Sequence, residues 1–369
     1  MVSISACLHQ FKLAICKLFH YTDDFDSLFR QRFDLLIKVW ICLLCSFVIS
    51  CNILVTEATT SVLIFTMDSI TTQVKAAQHG GPAGEIVVRE SLQRSLRVFG
   101  CTVHVATSDD HYNKLAHSKN YTIMIFDPWT VLETHNREVR PRTLARERKN
   151  EVYVLDFFGV ESNMLGLPPS HILTAFPTSS ATFLGFSVDK PGTRSQISTN
   201  RGIIWGKEMK YYSSVFGKSI VNAASSMCTL VSISKHLTFQ HPNITFVGPQ
   251  TTKNFKGLLQ SSKFLLGLGH PLSGPSGLEA MQAGAMLIIP KFSSSPYQMG
   301  VDSQHPYMTR FVGAPYVCTF QVLDSGRANT TEVQMCVHKA LTTILEPKIA
   351  YDFQSDVYND RVTKIFGLY

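Results

Sequence analysis

Charge is the first thing this sequence is short of. Asp, Glu, Lys and Arg make up 17% of its 369 residues, and the formal net charge is only +7. So small an excess, spread along the chain, does not build the basic stripe that nucleic acid demands. It suits an anionic small ligand or an anionic membrane face. Low-complexity tracts and internal repeats are also missing, so solenoid and repeat architectures fall away. No second His, Cys or carboxylate stands at metal-ligand spacing from His79 or His305; both histidines read as hydrogen-bonded turn residues, and no metal centre is expected.

Long apolar runs are scarce too, and the one present is informative. Val39 to Val55 is apolar except for Ser46, Ser50 and Asn52, and Leu35–Ile37 extends it to about 20 residues, the length of a membrane span. Arg30, Arg32 and Lys38 precede it and Glu57 and Asp68 follow. The positive-inside bias then gives a cytoplasmic segment 1–38, a signal anchor at 39–57 with membrane contact through 39–55, and a lumenal remainder. Five cysteines lie in or before the anchor. Cys101, Cys228, Cys318 and Cys336 follow it and form two disulfides in an oxidising lumen, with three connectivities open. The N-x-S/T acceptors Asn120, Asn243 and Asn329 all fall on the same side.

Beyond the anchor, apolar runs alternate with helical periodicity. Ser61–Thr66, Cys101–Val105, Tyr121–Phe126 and Val152–Phe157 read as strands, and Val88, Leu92, Leu96 and Phe99 mark a helix that Gly100 ends. The charged stretch Glu133–Asn150 reads as a solvated helix or loop. A polar linker at 191–202 then separates a first α/β domain, 58–190, from a second, 203–345, with a return helix in 346–369. In the second domain Ile203–Lys207, Cys228–Ile233, Ile244–Val247 and Phe264–Leu268 read as strands, and Tyr211–Ala223 and Thr251–Leu259 as helices. The fold class is α/β: two facing Rossmann-like domains with a cleft between the carboxyl ends of their sheets.

Two glycine-rich turns open into that cleft. In Gly267–Pro290 an apolar strand runs into Gly269–Gly277, a short helix from Leu278 to Ala283, and a second strand from Ala285. Glycines let backbone approach a ligand, and free N–H groups at a helix start favour an anion. Glu279 is placed to accept hydrogen bonds from a pair of sugar hydroxyls, so the unit reads as a nucleotide-sugar seat. The other turn, His79–Glu85, presents Glu85. Each carboxylate has a plainer role as well, favouring a helix N-terminus by about 0.3–1 kcal/mol. Trp205 reads as core; Trp129 reads as core or as a sugar platform.

Four segments carry a resemblance: HGGPAGEIVVRESLQRSLRVFG (79–100), TAFPTSSATFLGFSVD (174–189), LLGLGHPLSGPSGLEAMQAGAMLIIPKF (265–292) and SQHPYMTRFVGAPYV (303–317). Together they resemble the N-acetylglucosaminyltransferase V family. That resemblance implies a GT-B fold and an inverting, metal-independent transfer of GlcNAc from UDP-GlcNAc, with no cofactor. The acceptor would be the 6-hydroxyl of an α-mannose on an N-glycan, at the Golgi membrane, in a single-pass type II protein. By motif, Glu85 matches the family's base and Glu279 its ribose contact, within a donor turn of Ser273, Gly274, Pro275, Ser276, Gly277 and Leu278. No D-x-D follows the anchor. Charge on the departing diphosphate would then fall to N–H groups at Ser276–Glu279 and to Lys207, Lys263, Lys291 or Arg310. The family carries Glu where this chain has Ser273, and its segment between Phe292 and Ser303 is longer. A second reading is therefore a GT-B membrane protein that binds nucleotide sugar or glycan without turnover.

Overall fold

The computed structural model describes residues 60–66, 84–118, 120–132, 141–159, 166–188, 190, 200–206, 208–234, 241–292 and 301–368, all within the unit Thr60–Tyr369. The expected anchor, the start of the Glu85 turn (79–83), linker residues 191–199, Lys207 and the Trp129 side chain lie outside them. Among the described residues no helix is long and apolar enough to cross a membrane.

The first sheet holds β1 (Ser61–Phe65), β2 (Thr102–Ala106), β3 (Ile123–Phe126), β4 (Val152–Leu155), β5 (Ile172–Thr174) and β6 (Thr182–Phe183), in the order β2-β1-β3-β4-β5-β6. All its pairings are parallel. Runs such as VLIF and IMIF have no polar side because both faces are covered. Val62 and Ile64 enter one core cluster, and Leu63 and Phe65 enter another. Its helices are α1 (Gly84–Val98), α2 (Asp109–Ser118), α3 (Pro128–Leu132) and α4 (Pro141–Glu147). Val88, Leu92 and Leu96 are the buried stripe of α1; Phe99 lies past its end, where Gly100 takes φ +76°.

The second sheet holds β7 (Arg201–Trp205), β8 (Thr229–Ser232), β9 (Ile244–Phe246), β10 (Phe264–Gly267), β11 (Met286–Lys291) and β12 (Val317–Gln321), ordered β12-β11-β10-β7-β8-β9 and again parallel. The strand order reverses between β7 and β10, and in the first sheet between β1 and β3. Crevices at such reversals, at the strands' carboxyl ends, are where doubly wound sheets hold ligands. The Glu85 helix follows β1 and the donor turn follows β10, so both turns leave from reversal points. Two parallel α/β sheets so disposed make the GT-B architecture.

Several elements depart from expectation. The helix expected over 211–223 is two, α5 (Met209–Ser213) and α6 (Val215–Ser225). Ser214 is extended between them, and its side chain caps α6 by accepting from the Gly217 N–H at 2.9 Å. The helix α7 (Thr252–Gln260) is as expected, whereas α8 (Ser276–Gln282) starts two residues early and α9 spans Thr330–Thr342. The strands β5, β6 and β12 were not anticipated, being short or set in polar surroundings.

The tail returns to the first lobe as α10 (Ser355–Phe366). Ser95 Oγ lies 2.7 Å from Asn359 Oδ1. Arg361 donates to the Leu184 carbonyl at 2.9 Å and stacks 4.1 Å over Phe183. Tyr307 of the second lobe donates to Asp352 at 2.9 Å. One core cluster runs through both lobes, from Ile64 and Ile125 through Phe176, Phe186 and Phe353 to Trp205 and Leu265.

The cysteines need correction. Cys318 and Cys336 are bonded, tying β12 to α9 across a Cα separation of 5.7 Å, but Cys101 and Cys228 are buried thiols. They stand at the heads of β2 and β8, on different sheets and in different core clusters, so no second disulfide can form between them. Burial raises both thiols, Cys228 to about 11.

Candidate functional site

The donor turn is held from beneath. Gly269 has φ +87° and Ser273 φ +45°, left-handed values that cost a serine more than a glycine. What offsets this is a strap at Ser303–Tyr307. The fully buried Gln304 accepts from the Gly269 N–H at 2.9 Å, donates to the Pro271 carbonyl at 3.0 Å, and receives the Ser273 N–H on its own carbonyl at 2.9 Å. His305, also fully buried, places Nε2 3.1 Å from the Gly274 carbonyl and accepts from the Met308 N–H at Nδ1. That pairing fixes the neutral tautomer with its proton on Nε2, and burial draws the imidazole down to about 4. A Cβ on Gly277 would lie 2.8 Å from the His305 ring, which is why glycine stands there. Trp205 is buried below Gly274, a core residue as read from the sequence.

The N–H groups expected to await an anion are mostly engaged. Pro275 is already helical, at φ −56° and ψ −24°. Gly277 N–H therefore points to the Gly274 carbonyl at 3.4 Å, and those of Leu278 and Glu279 to Pro275 at 3.0 Å. Of Ser276–Glu279, only Ser276 keeps an N–H without such a bond.

The first lobe meets this turn at the start of α1. A Cβ on Gly84 would lie 3.3 Å from Pro275 Cδ and 3.2 Å from the Phe157 ring, so the two turns touch. Glu85 follows and is exposed. One helical turn on, Arg89 is buried and donates to Thr66 Oγ1 at 2.8 Å. Desolvation lowers its pKa, opposed by the charges of Glu90, Asp127 and Glu85. Arg89 thus lies one helical turn from Glu85 and senses its charge.

Between the lobes lies a cavity of about 110 Å³, bordered by Glu90 and Arg94 of α1, Phe186–Val188, Thr252 and Lys256 of α7, and Pro275, Glu279 and Gln282. Glu279 is half-buried. Of the four nominated cations, Lys263, Lys291 and Arg310 are not gathered here. Lys263 precedes β10 and donates to Thr343 at 3.5 Å, on the amino edge of the sheet, roughly 13 Å of strand from the ligand edge. Lys291 and Arg310 border a different cavity, of about 310 Å³, where Arg310 pairs with Asp302 at 3.1 Å. Lys207 lies outside the described residues.

Asn120 and Asn243 are exposed, although the Asn243 amide donates to Ser225 at 2.8 Å. Asn329 is the N-cap of α9: it accepts from the Glu332 N–H and donates to that side chain at 2.9 Å. Among the described residues, no three His, Cys, Asp or Glu side chains are grouped to hold a metal.

Sequence reading missed Gln304, Arg94 and Lys256. Gln304 sits in the resemblance segment 303–317 and Arg94 in 79–100, and the first stands beside the turn-forming Pro306 and His305. The other two look like ordinary surface charges on helices until the lobes are brought together.

Residues 158–366 match the model of glycosyltransferase family 18. Alpha-1,6-mannosylglycoprotein 6-beta-N-acetylglucosaminyltransferase A of Cricetulus griseus is 24% identical over 354 residues, covering 78% of this chain and 45% of its own length. The B enzyme of Mus musculus is 23% identical over 327 residues, covering 74% and 40%. The chain thus spans about half the length of the curated relatives it matches. Of solved structures, the kitacinnamycin glycosyltransferase superposes with a TM-score of 0.46 at 10% identity, over 84% of this chain and 94% of that one.

Proposed function

The chain belongs to glycosyltransferase family 18, and from that premise we propose that it transfers GlcNAc from UDP-GlcNAc to the 6-hydroxyl of an α-linked mannose of an N-glycan. The observation that carries this reading is the contact between the two turns, Gly84 against Pro275. It sets the start of α1, the helix that carries Glu85, against the donor turn. Glu279 holds the ribose hydroxyls. Glu85 takes the proton of the acceptor hydroxyl as that oxygen bonds to the anomeric carbon. The bond from that carbon to the diphosphate breaks through an oxocarbenium-like state, UDP leaves with the electron pair, and the configuration inverts. An exposed base suits an acceptor carried on a glycoprotein, which must approach from solution.

No metal or cofactor is assigned a part in this reading; cations of the chain meet the charge on the departing UDP. The reading also makes the chain a single-pass type II protein of the Golgi membrane, anchored through 39–55, with a lumenal catalytic part. The disulfide between Cys318 and Cys336 supports an oxidising compartment, and exposed Asn120 and Asn243 are suited to glycosylation.

The test is transfer by the full chain from UDP-GlcNAc to a biantennary N-glycan. E85Q should lower the rate by about 10²–10⁴-fold, and an unchanged rate would remove Glu85 from the mechanism. Ser273, where the resembled family carries Glu, favours the second reading, binding without turnover. Absence of transfer by the wild type, with its melting temperature still raised by UDP, would select that one.

A further inference from the structure

With most helix-end N–H groups engaged and Lys263, Lys291 and Arg310 elsewhere, neither those N–H groups nor those three cations meet the charge of the donor's diphosphate among the described residues. The interlobe cavity supplies a partner for it. We propose that Arg94 and Lys256, one from each lobe, form the cation pair that grips the diphosphate and draws the lobes together on it. This rests on the reading of Glu279 as the ribose contact.

Chemistry sets the location. A diphosphate begins one methylene from the ribose, so groups that share a cavity wall with Glu279 are the groups within its reach. Arg94 and Lys256 are the cations on that wall among the described residues. Arg94 stands on α1, where its Nη2 lies 3.4 Å from Ser91 Oγ. Ser91 in turn donates to the Ser187 carbonyl at 3.4 Å, which ties the site to the cavity's third wall. Lys256 stands one turn into α7, whose side chain at Thr252 borders the same space.

Glu90 and Glu279 border the same cavity. A planar guanidinium and a flexible ammonium can both turn to phosphate oxygens without a change in backbone. Because the two cations come from different lobes, a diphosphate between them bridges the lobes, whereas a nucleoside lacking phosphate does not.

The experiment is calorimetric titration of the full chain with UDP and with uridine. R94M and K256M should each weaken UDP about tenfold or more, as expected for a charge-assisted bond, and leave uridine unchanged. R94K and K256R should recover part of the loss, and K263M should bind UDP as the wild type does. Equal weakening of UDP and uridine, or no weakening of either, overturns the pair. If the wild type itself fails to bind UDP, the donor reading of the cavity falls first. If UDP binds but ignores both substitutions, only the cation pair falls.

Discussion

Replacing Gln304 tests what holds the donor turn. Its side chain is fully buried, accepting from Gly269 N–H at 2.9 Å and donating to the Pro271 carbonyl at 3.0 Å. Q304L keeps the approximate volume but deletes both bonds, stranding the buried Gly269 N–H, whereas Pro271 is exposed and its carbonyl can turn to water. At about 1–3 kcal/mol for an unsatisfied buried group, the expected loss is about 1–3 kcal/mol, a large share of the 5–15 kcal/mol typical of a folded domain. Q304E retains the acceptor toward Gly269 but sets a carboxylate against the Pro271 carbonyl. Its folded pKa is therefore raised above the unfolded value, and the variant binds more protons folded than unfolded. Its loss is small below about pH 4 and grows as pH rises through the folded pKa. Equilibrium urea unfolding at pH 4 and pH 7 reads both variants. A loss below about 1 kcal/mol for Q304L, or a Q304E midpoint indifferent to pH, would mean the strap does not hold the turn.

Two further outcomes follow from the same structure. His305 is held neutral, its pKa drawn from 6.5 to about 4 by burial. The unfolded chain thus binds the extra proton first, and stability should fall by about 3 kcal/mol as pH drops from 6.5 to 4; H305Q should flatten that part of the urea-midpoint profile. The Cys318–Cys336 bond closes a loop with a sequence separation of 18, so reduction or C318S/C336S should cost about 3 kcal/mol. Peptide mapping without reductant should recover that pair, with Cys101 and Cys228 alkylated only after unfolding.

Much of the outcome could be read from the chain alone, and for a physical reason. Strands covered on both faces must be apolar throughout, so FLLG and VLIF announce themselves. The glycine-rich turns did so too, because only Gly tolerates φ near +87° at Gly269 or the closeness of His305 to Gly277. The four quoted segments went further and identified the family, because they preserve the turns and the strap that shape the donor site.

Other features depend on distances that no local pattern encodes. Lys263 and Lys256 look alike in sequence; parallel pairing sends the first to the sheet's amino edge, while α7 lays the second along the cavity. The helix-end N–H groups seemed available until Pro275 proved helical and occupied them. Cys318 found Cys336 because β12 and α9 pack together, while Cys101 and Cys228 were left in separate cores. Apolar periodicity and glycine geometry act over a few residues, so the sequence by itself determined the two sheets and the two turns. Which charges share a cavity depends on how the lobes close, and that was decided only by tertiary packing, with the start of α1 set against Pro275 and α10 laid on the first lobe.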